Sequence, residues 1–323
     1  MDDYRERYAQ VKTVPMTEAE HLALRKRLMH PDHPVDVVLD TDTYNEIDDQ
    51  YALAYLVKNS DKLRLKAIYA APFWNSKSES PADGMERSYR EMENILTLME
   101  RRDLLEIAHR GSTEYLRDEQ TPVVSDAAED LARRAMAYTP EDPLYVIAIG
   151  AITNVASALL MEPAIRDRVV IVWLGGHALH WHDNAEFNLM QDIAAARVVL
   201  GCGAAVVLLP CMGVVSAFTT SGPELRHWLA GKNKLCDYLC DVTAKEATRK
   251  NPVSTWTRPI WDVTAVAWLL DGKFMEDTII PSPIPEYGFR WAQDPRRHPV
   301  KYVYHIYRDK LFEDLFTRLS SDK

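Results

Sequence analysis

The residues most suited to chemistry are the five acids in the stretch VVLDTDTYNEIDDQYALAYLV, which spans residues 37 to 57. They are Asp40, Asp42, Glu46, Asp48 and Asp49, and no Lys or Arg lies among them. The apolar residues before them have the pattern of a buried strand, and those after them recur at helical spacing. The acids therefore lie where a strand gives way to a helix, a common ligand position in open α/β sheets. Because their charges would repel one another, we predict a bound cation rather than a solvated turn.

Other polar residues also lie at the ends of predicted elements. Asn75 follows the second strand in AAPFWNSKS, and Thr153 begins a helix in AIGAITNVASAL. The segment WLGGHALHWHDNAEFNLMQD follows the fourth strand, and RPIWDVTAVAWLLD leads into an apolar helix. The candidate site residues of these two segments are His180, Asn184, Glu186, Asn188, Trp261 and Asp262. Oxygen ligands without thiolates suit Ca²⁺, or as a second choice Mg²⁺, better than zinc, and the histidines leave a transition metal open.

Strand-like and helix-like segments alternate along most of the chain, which predicts an α/β fold with a mainly parallel central sheet flanked by helices. The predicted strands are 35–39, 63–69, 144–149, 169–174 and 204–209, with helices near 48–59, 86–101, 126–138, 153–161 and 190–200. Helices at 222–231, 234–248 and 261–270 follow, and then short strands near 287–292 and 300–307. We expect a single domain over residues 35–323, preceded by an N-terminal helical appendage over residues 1–34. The appendage helix should begin at the capping box Thr17-x-x-Glu20.

Composition argues against several classes of partner. The 323 residues are 47% hydrophobic, enough for a sizeable core. The net charge of −10 and the lack of a long basic run argue against nucleic acid and anionic membranes. The first ten residues, MDDYRERYAQ, lack the apolar core of a signal peptide, and no apolar run is long enough to span a membrane. Four cysteines are too few for a disulfide scaffold, so we expect a cytoplasmic protein.

Taken in order, these motifs resemble those of the nucleoside hydrolases of the inosine–uridine-preferring type. The resemblance rests on Asp-x-Asp followed by Asp-Asp, on GAITNVA, on AEFN with a nearby Asp, and on a late Asp that enters a helix. It runs from about residue 36 to residue 270. It implies a single Rossmann-related α/β domain that hydrolyses nucleosides to free base and ribose, binds Ca²⁺ and forms a homodimer or homotetramer.

The resemblance also implies roles for individual residues. Asp42, Asp49, Asp262 and a backbone carbonyl at or beside Thr153 would bind calcium, and Asp42 would take the proton from a calcium-bound water. The ribose hydroxyls would be held by Asp48, Asn75, Glu186 and Asn188. If the NAEFN segment is extended, alternation along it would point Glu186 and Asn188 to the same side.

Three features depart from the family pattern. Five residues (TYNEI) separate Asp42 from Asp48, where the family has three, so Glu46 could itself become a ligand. His180 stands where the family often has an Asn, and Asn184 could take that role. Trp261 precedes Asp262, where many members have a His that protonates the leaving base. We therefore expect the base to stack on Trp261, which would favour purine over pyrimidine nucleosides.

Two other functions remain open from the sequence. A calcium-dependent nucleoside or ribose binder would keep the same pocket without turnover. A haloacid-dehalogenase-like phosphatase also begins with a strand and Asp-x-Asp, but it needs Thr or Val at the position of Tyr44. Release of free ribose would indicate the hydrolase, and release of inorganic phosphate from phosphoesters would indicate the phosphatase.

Overall fold

The central element is an eight-stranded sheet with the strand order β3-β2-β1-β4-β5-β6-β12-β9, seen in a computed structural model that describes residues 14–250, 252–270 and 272–321. Its strands are parallel except for β9, which pairs antiparallel with β12 at one edge. Two short antiparallel pairs, β7 with β8 and β10 with β11, lie outside it. The strands are β1 (Val35–Thr41), β2 (Leu63–Ala70), β3 (Ala108–Arg110), β4 (Leu144–Ala148), β5 (Val169–Leu174), β6 (Ala205–Leu209), β7 (Thr219–Ser221), β8 (Thr257–Pro259), β9 (Met275–Pro281), β10 (Ile284–Glu286), β11 (Arg290–Ala292) and β12 (Pro299–Ile306).

Helices cover both faces of the sheet. They are α1 (Glu18–Arg27), α2 (Asp48–Lys58), α3 (Pro81–Leu98), α4 (Asp126–Ala135), α5 (Thr153–Met161), α6 (Phe187–Gln191), α7 (Ile193–Gly201), α8 (Gly222–Trp228), α9 (Lys234–Lys250), α10 (Val263–Trp268) and α11 (Arg308–Ser320). One hydrophobic cluster joins the sheet to α1, α2, α3, α9, α10 and α11, and a second joins the opposite face to α4, α5 and α7. Strands β4, β5 and β6 are buried along their whole length, as their continuous apolar sequences require.

The N-terminal helix α1 begins as its sequence predicts. The Thr17 side chain accepts a hydrogen bond from the Glu20 backbone N–H, and the Glu20 carboxylate accepts one from the Thr17 N–H, which completes the capping box. Leu24 and Leu28 are fully buried in the core. Residues 14–34 are therefore packed on the domain, while the start of the predicted appendage, residues 1–13, lies outside the described residues.

Most predicted elements are present, with shifted ends. Helix α3 begins at Pro81, five residues before its predicted start, because Ser80 caps it by accepting a hydrogen bond from the Asp83 N–H and Pro81 suits the first turn. Strand β9 at the antiparallel edge was not predicted, since most of its residues are half-buried or exposed and form no continuous apolar run. None of the helices in the described part of the chain is long and apolar enough to cross a membrane.

Candidate functional site

A cavity of about 190 Å³ lies at the carboxyl ends of β1, β4, β5 and β6. It receives residues from five separate segments of the chain. They are Asp42, Asn45, Glu46, Asp48, Asp49, Ile149, Leu174, His177, Ala185, Glu186, Phe187, Asn188, Cys211, Met212, Trp261 and Asp262. Eight residues that the sequence singled out are thus brought together: Asp42, Glu46, Asp48, Asp49, Glu186, Asn188, Trp261 and Asp262.

The strand order explains why the cavity forms here. The first six strands run 3-2-1-4-5-6, so the direction of winding reverses between β1 and β4, and ligand crevices open at such a switch point. Asp42 comes directly after β1, and Gly150 follows β4 beside it. A Cβ on Gly150 would lie 3.2 Å from the Asp42 backbone nitrogen and 3.0 Å from the Ala71 Cβ. Glycine at this position therefore allows the two strand ends to approach each other closely.

Three carboxylates form a compact group in the cavity. One oxygen from each of Asp48, Asp49 and Asp262 can be chosen so that all three lie within 4.8 Å of one another. The Thr41 hydroxyl donates to Asp49 Oδ1 at 2.6 Å, and the Asp262 backbone N–H donates to Asp48 Oδ2 at 3.2 Å. The first turn of α2 supplies Asp48 and Asp49, and Asp262 stands directly before α10, so residues more than 200 positions apart meet at one point.

Burial and mutual repulsion dominate the electrostatics of these acids. Burial raises the pKa of Asp42 well above its usual value, and the nearby charges of Asp49 and Asp48 raise it further. Burial likewise raises the pKa of Asp49 to about 8 and that of Asp262 well above its usual value. Neither Lys nor Arg is found among the described residues that line the cavity. These carboxylates are therefore left to be neutralised by bound protons or by a cation.

The donor set fits a divalent cation with a preference for oxygen. Asp42 Oδ2 and Asp48 Oδ1 are buried and have no hydrogen-bond partner among the described residues. Buried carboxylate oxygens without partners are strongly unfavourable unless they bind a proton or a cation. The compact group contains Asp48 beside Asp49 and Asp262, whereas the resemblance assigned Asp42 to the metal and Asp48 to the sugar. All four carboxylates are therefore candidate ligands.

Glu186 and Asn188 enter the cavity from the start of α6. Glu186 is the N-cap: its carboxylate accepts hydrogen bonds from the backbone N–H groups of Asn188 and Leu189 at 2.9 Å, and from that of Gly176 at 2.8 Å. Burial nevertheless raises its pKa to about 7. The Asn188 amide donates to the Leu174 carbonyl at 3.0 Å. Because α6 begins at Phe187, the extended conformation considered for NAEFN is wrong, and Phe187 lines the cavity as well.

The long loop between Asp42 and Asp48 is anchored by an ion pair. Glu46 pairs with Arg258 of β8, which is 7% exposed. The Arg258 guanidinium carbon also lies 5.0 Å from the centre of the Trp261 ring, a cation–π distance. The Trp261 Nε1 is buried without a hydrogen-bond partner among the described residues. Arg258 thus balances the charge of Glu46 and packs against Trp261 at the same time.

Four predicted site residues do not line the cavity. The Asn75 amide donates to Asn45 Oδ1 at 2.6 Å, so Asn45 stands between it and the cavity. The Thr153 hydroxyl donates to Asp192 at 2.7 Å. Asn184 is buried and its Oδ1 accepts from the His177 backbone N–H at 2.8 Å. His180 is exposed.

Sequence reasoning left unassigned four lining residues with polar or sulfur-containing side chains: Asn45, His177, Cys211 and Met212. Cys211 and Met212 follow β6 by two and three residues, so the rule that ligand residues follow parallel strands would have found them. His177 stood among several histidines of one loop, and no spacing distinguished it. Asn45 lies within the unusually long loop, for which the family pattern offers no counterpart.

Comparison with known proteins gives consistent results. A sequence profile described as inosine-uridine preferring nucleoside hydrolase matches residues 37–312. "Probable uridine nucleosidase 2" of Arabidopsis thaliana is 30% identical over 125 residues, a segment that spans 38% of this chain and 38% of that relative. The plant nucleoside hydrolase PpNRh1 superposes with a TM-score of 0.71 at 18% identity, over 89% of this chain and 99% of the other.

A second solved structure, a purine-preferring ribonucleoside hydrolase from Gardnerella vaginalis, superposes with a TM-score of 0.69 at 19% identity, over 88% of this chain and 98% of that one. At these identities the superpositions show a shared fold. The profile match, in contrast, covers most of the chain and includes every acid of the cavity. It follows that this chain is a member of the inosine-uridine preferring nucleoside hydrolase family.

Proposed function

We propose that the protein hydrolyses the N-glycosidic bond of ribonucleosides to free base and ribose. The observation that carries the proposal is the cavity itself, where a buried cluster of Asp residues faces Glu186 and Asn188 in a member of this family. Family membership also favours this activity over that of a haloacid-dehalogenase-like phosphatase. We expect the enzyme to act in the cytoplasm as a homodimer or homotetramer.

The direct test is a reducing-sugar assay over a panel of purine and pyrimidine ribonucleosides. Release of ribose from at least one of them supports hydrolysis. A protein that binds these nucleosides at the cavity but releases no ribose would instead be the binder without turnover. Trp261 in place of the family's frequent His is the observation that favours this second function, because it removes a proton donor from the leaving base.

Asp42 is the proposed general base. It follows β1 at the edge of the cavity, and its Oδ2 has no hydrogen-bond partner among the described residues. Asp48, Asp49 and Asp262, together with Asp42 and a carbonyl at or beside Thr153, would hold a Ca²⁺ ion. When bound, such an ion would offset the repulsion of the carboxylates and make a water molecule more acidic. Asp42 would then accept a proton from the attacking water.

The same carboxylates suit the charge that develops on the sugar. Cleavage of a glycosidic bond passes through an oxocarbenium-like cation, and negative side chains fixed in a buried site stabilise that cation as it forms. Glu186 and Asn188 are held by backbone hydrogen bonds, so they need little reorganisation to bind hydroxyl groups. Asn75 would act through Asn45, which lines the cavity.

The ribose contacts predict discrimination against deoxyribonucleosides. We expect 2′-deoxyinosine to react with a kcat/KM lower than that of inosine by about 10²-fold or more, because buried polar groups built for a hydroxyl are left unpaired without it. Initial rates of base release on both substrates provide the measurement. Equal activity on the two substrates would contradict the assignment of Glu186 and Asn188 as ribose contacts.

Trp261 predicts a preference for purine nucleosides. Its indole lines the cavity with Arg258 packed near the ring, so the wall is held in place for a base to stack on it. We expect Trp261→Ala to lower kcat/KM for inosine by about 2- to 12-fold, the equivalent of 0.5–1.5 kcal/mol, with a smaller change for uridine. Trp228→Ala is the control, since Trp228 lies on α8 outside the cavity and is 41% exposed. A wild type that prefers uridine would refute the stacking account.

A further inference from the structure

His177 is an imidazole on the cavity wall that the roles above leave unused. It follows Gly175 and Gly176 at the end of β5 and is 9% exposed. The other histidines of this loop, His180 and His182, are exposed to solvent instead. His177 is therefore the histidine of this loop that a ligand in the cavity can reach.

Four contacts fix the position of His177. Its backbone N–H donates to Asn184 Oδ1 at 2.8 Å, and its carbonyl accepts from the Trp291 Nε1–H at 2.9 Å. The ring packs edge-on against Trp181, with centroids 6.2 Å apart, and Nδ1 accepts a hydrogen bond from the Met212 backbone N–H at 3.3 Å. Because its backbone, its ring and one ring nitrogen are all in contact with neighbours, the imidazole is preorganised.

The Met212 contact also fixes the tautomer. Because Nδ1 is the acceptor, the proton of the neutral ring is on Nε2. Asp183 Oδ1 lies 3.8 Å from Nε2, which is too far for a hydrogen bond, and Nε2 has no other partner among the described residues. Burial lowers the pKa of His177, and Asp183 opposes that effect only in part. His177 therefore presents an unused N–H donor as a neutral imidazole.

We propose that the Nε2–H of His177 donates a hydrogen bond to the leaving base and stabilises the negative charge that develops on it. This role rests on the proposed function. As the C1′–N bond breaks, its electron pair passes to the heterocycle, while the attacking water forms the new C1′–O bond and gives a proton to Asp42. Solvent water then returns the equivalent of that proton to the departing base, so the net reaction is hydrolysis. His177 keeps its own proton throughout. A neutral imidazole can serve as an electrophile in this way because it is oriented in advance and partly shielded from water.

The location of His177 in the cavity supports this assignment. Once the carboxylates and Asn188 are assigned to the cation and the sugar, the polar or sulfur-containing side chains left on the wall are those of Asn45, Trp261, Cys211, Met212 and His177. Asn45 is hydrogen-bonded to Asn75, and a base stacked on the ring face of Trp261 would lie off the line of its in-plane Nε1–H. The two sulfur-containing side chains are poor hydrogen-bond donors. His177 would thus partly replace the His that many family members have at the position of Trp261, where it assists departure of the base. Asn184, predicted as a sugar contact, becomes a positioning residue for His177.

The test compares two leaving groups and two substitutions. His177→Asn keeps an amide oxygen near Nδ1 for the Met212 N–H but removes the donor near Nε2, whereas His177→Gln places an amide N–H near Nε2. Inosine needs help for its base to depart, while 4-nitrophenyl riboside releases a stable phenolate without such help. We expect His177→Asn to lower kcat for inosine by about 10- to 100-fold. Its kcat for 4-nitrophenyl riboside should change by less than about threefold, and KM should change little.

His177→Gln should recover at least part of the loss on inosine, and His182→Ala, an exposed neighbour in the same loop, should behave as the wild type. Equal losses on both substrates, or none on either, would overturn the role of His177 and leave the proposed function intact. A wild type that releases ribose from neither nucleosides nor 4-nitrophenyl riboside would overturn the proposed function, and this role with it.

Discussion

Replacing Asp42 with Asn is expected to reduce turnover of ribonucleosides by about 10²- to 10⁴-fold, the usual effect of losing a general base. The substitution keeps the size of the side chain and one oxygen that can bind a cation, but the amide cannot accept a proton from water. Two observations support this expectation: Asp42 Oδ2 has no hydrogen-bond partner in the described part of the chain, and Asp42 comes directly after β1. The loss should appear in kcat, because the proton is transferred only in the transition state.

Two measurements distinguish loss of the general base from loss of metal affinity. Calcium titration of Asp42→Asn by calorimetry reports the change in affinity, and kcat at saturating calcium reports the chemistry. Asp142→Asn is a matched control, since Asp142 is exposed and lies before β4, at the opposite end of the sheet. If Asp42→Asn turns over inosine at nearly the wild-type rate in saturating calcium, another residue is the general base, and Glu46 and Asp48 are the next candidates.

The local part of this site could be predicted from the sequence. An apolar run, a turn of acids and a helical pattern fix β1, the turn and α2, because short-range spacing alone determines which residues share a strand or a helix. The strand-end rule then brings Asp42 and the loop that carries Glu186 to one edge without any knowledge of their distances. Asp262 follows no predicted strand, and only the family resemblance connected it with this site. The α/β fold with a mainly parallel sheet is confirmed for the same reason.

Other features depend on contacts that spacing cannot show. Arg258 pairs with Glu46 across 212 positions, and neither residue carries a local sign of the other. His177 faces the cavity whereas His180 is exposed, because the loop is held through Asn184 and Trp291. The sequence predicts that this loop is functional, but tertiary hydrogen bonds determine which of its histidines can contact a ligand.

The antiparallel edge illustrates a different difficulty. Buried parallel strands read as continuous apolar runs, and β4, β5 and β6 were found in this way. Strand β9 carries Glu276 and Asp277, and its residues are mostly half-buried or exposed. Asp277 is paired with Lys301 of β12 at 2.9 Å, a partner that becomes a neighbour only once the sheet has formed.

Removing divalent cations should both abolish turnover and lower the melting temperature of the protein. A cation present at about 100 times its Kd stabilises the folded state by about 2.7 kcal/mol, which for a chain of this size corresponds to a shift in Tm of about 5 °C. The physical reason is the group of Asp48, Asp49 and Asp262 within 4.8 Å, where buried carboxylates repel each other unless a cation or protons intervene. Thermal melts of protein dialysed against chelator, with and without added calcium, provide the measurement.

The size of this shift should depend on pH in a defined direction. In the metal-free protein, burial raises the pKa of Asp49 from 3.8 to about 8, so the folded state still holds a proton that the unfolded state has released. Stability of the metal-free protein should therefore fall as the pH rises through the window from about 4 to 8. A bound calcium ion would keep these carboxylates ionised and compensated, so the difference in Tm between the calcium-loaded and metal-free protein should widen from pH 5 to pH 8. An Asp49→Asn, Asp262→Asn double variant should lose the calcium-dependent part of the shift. Equal melting temperatures with and without calcium at pH 8 would show that the acids are compensated by the protein alone, and that the cation site is wrong.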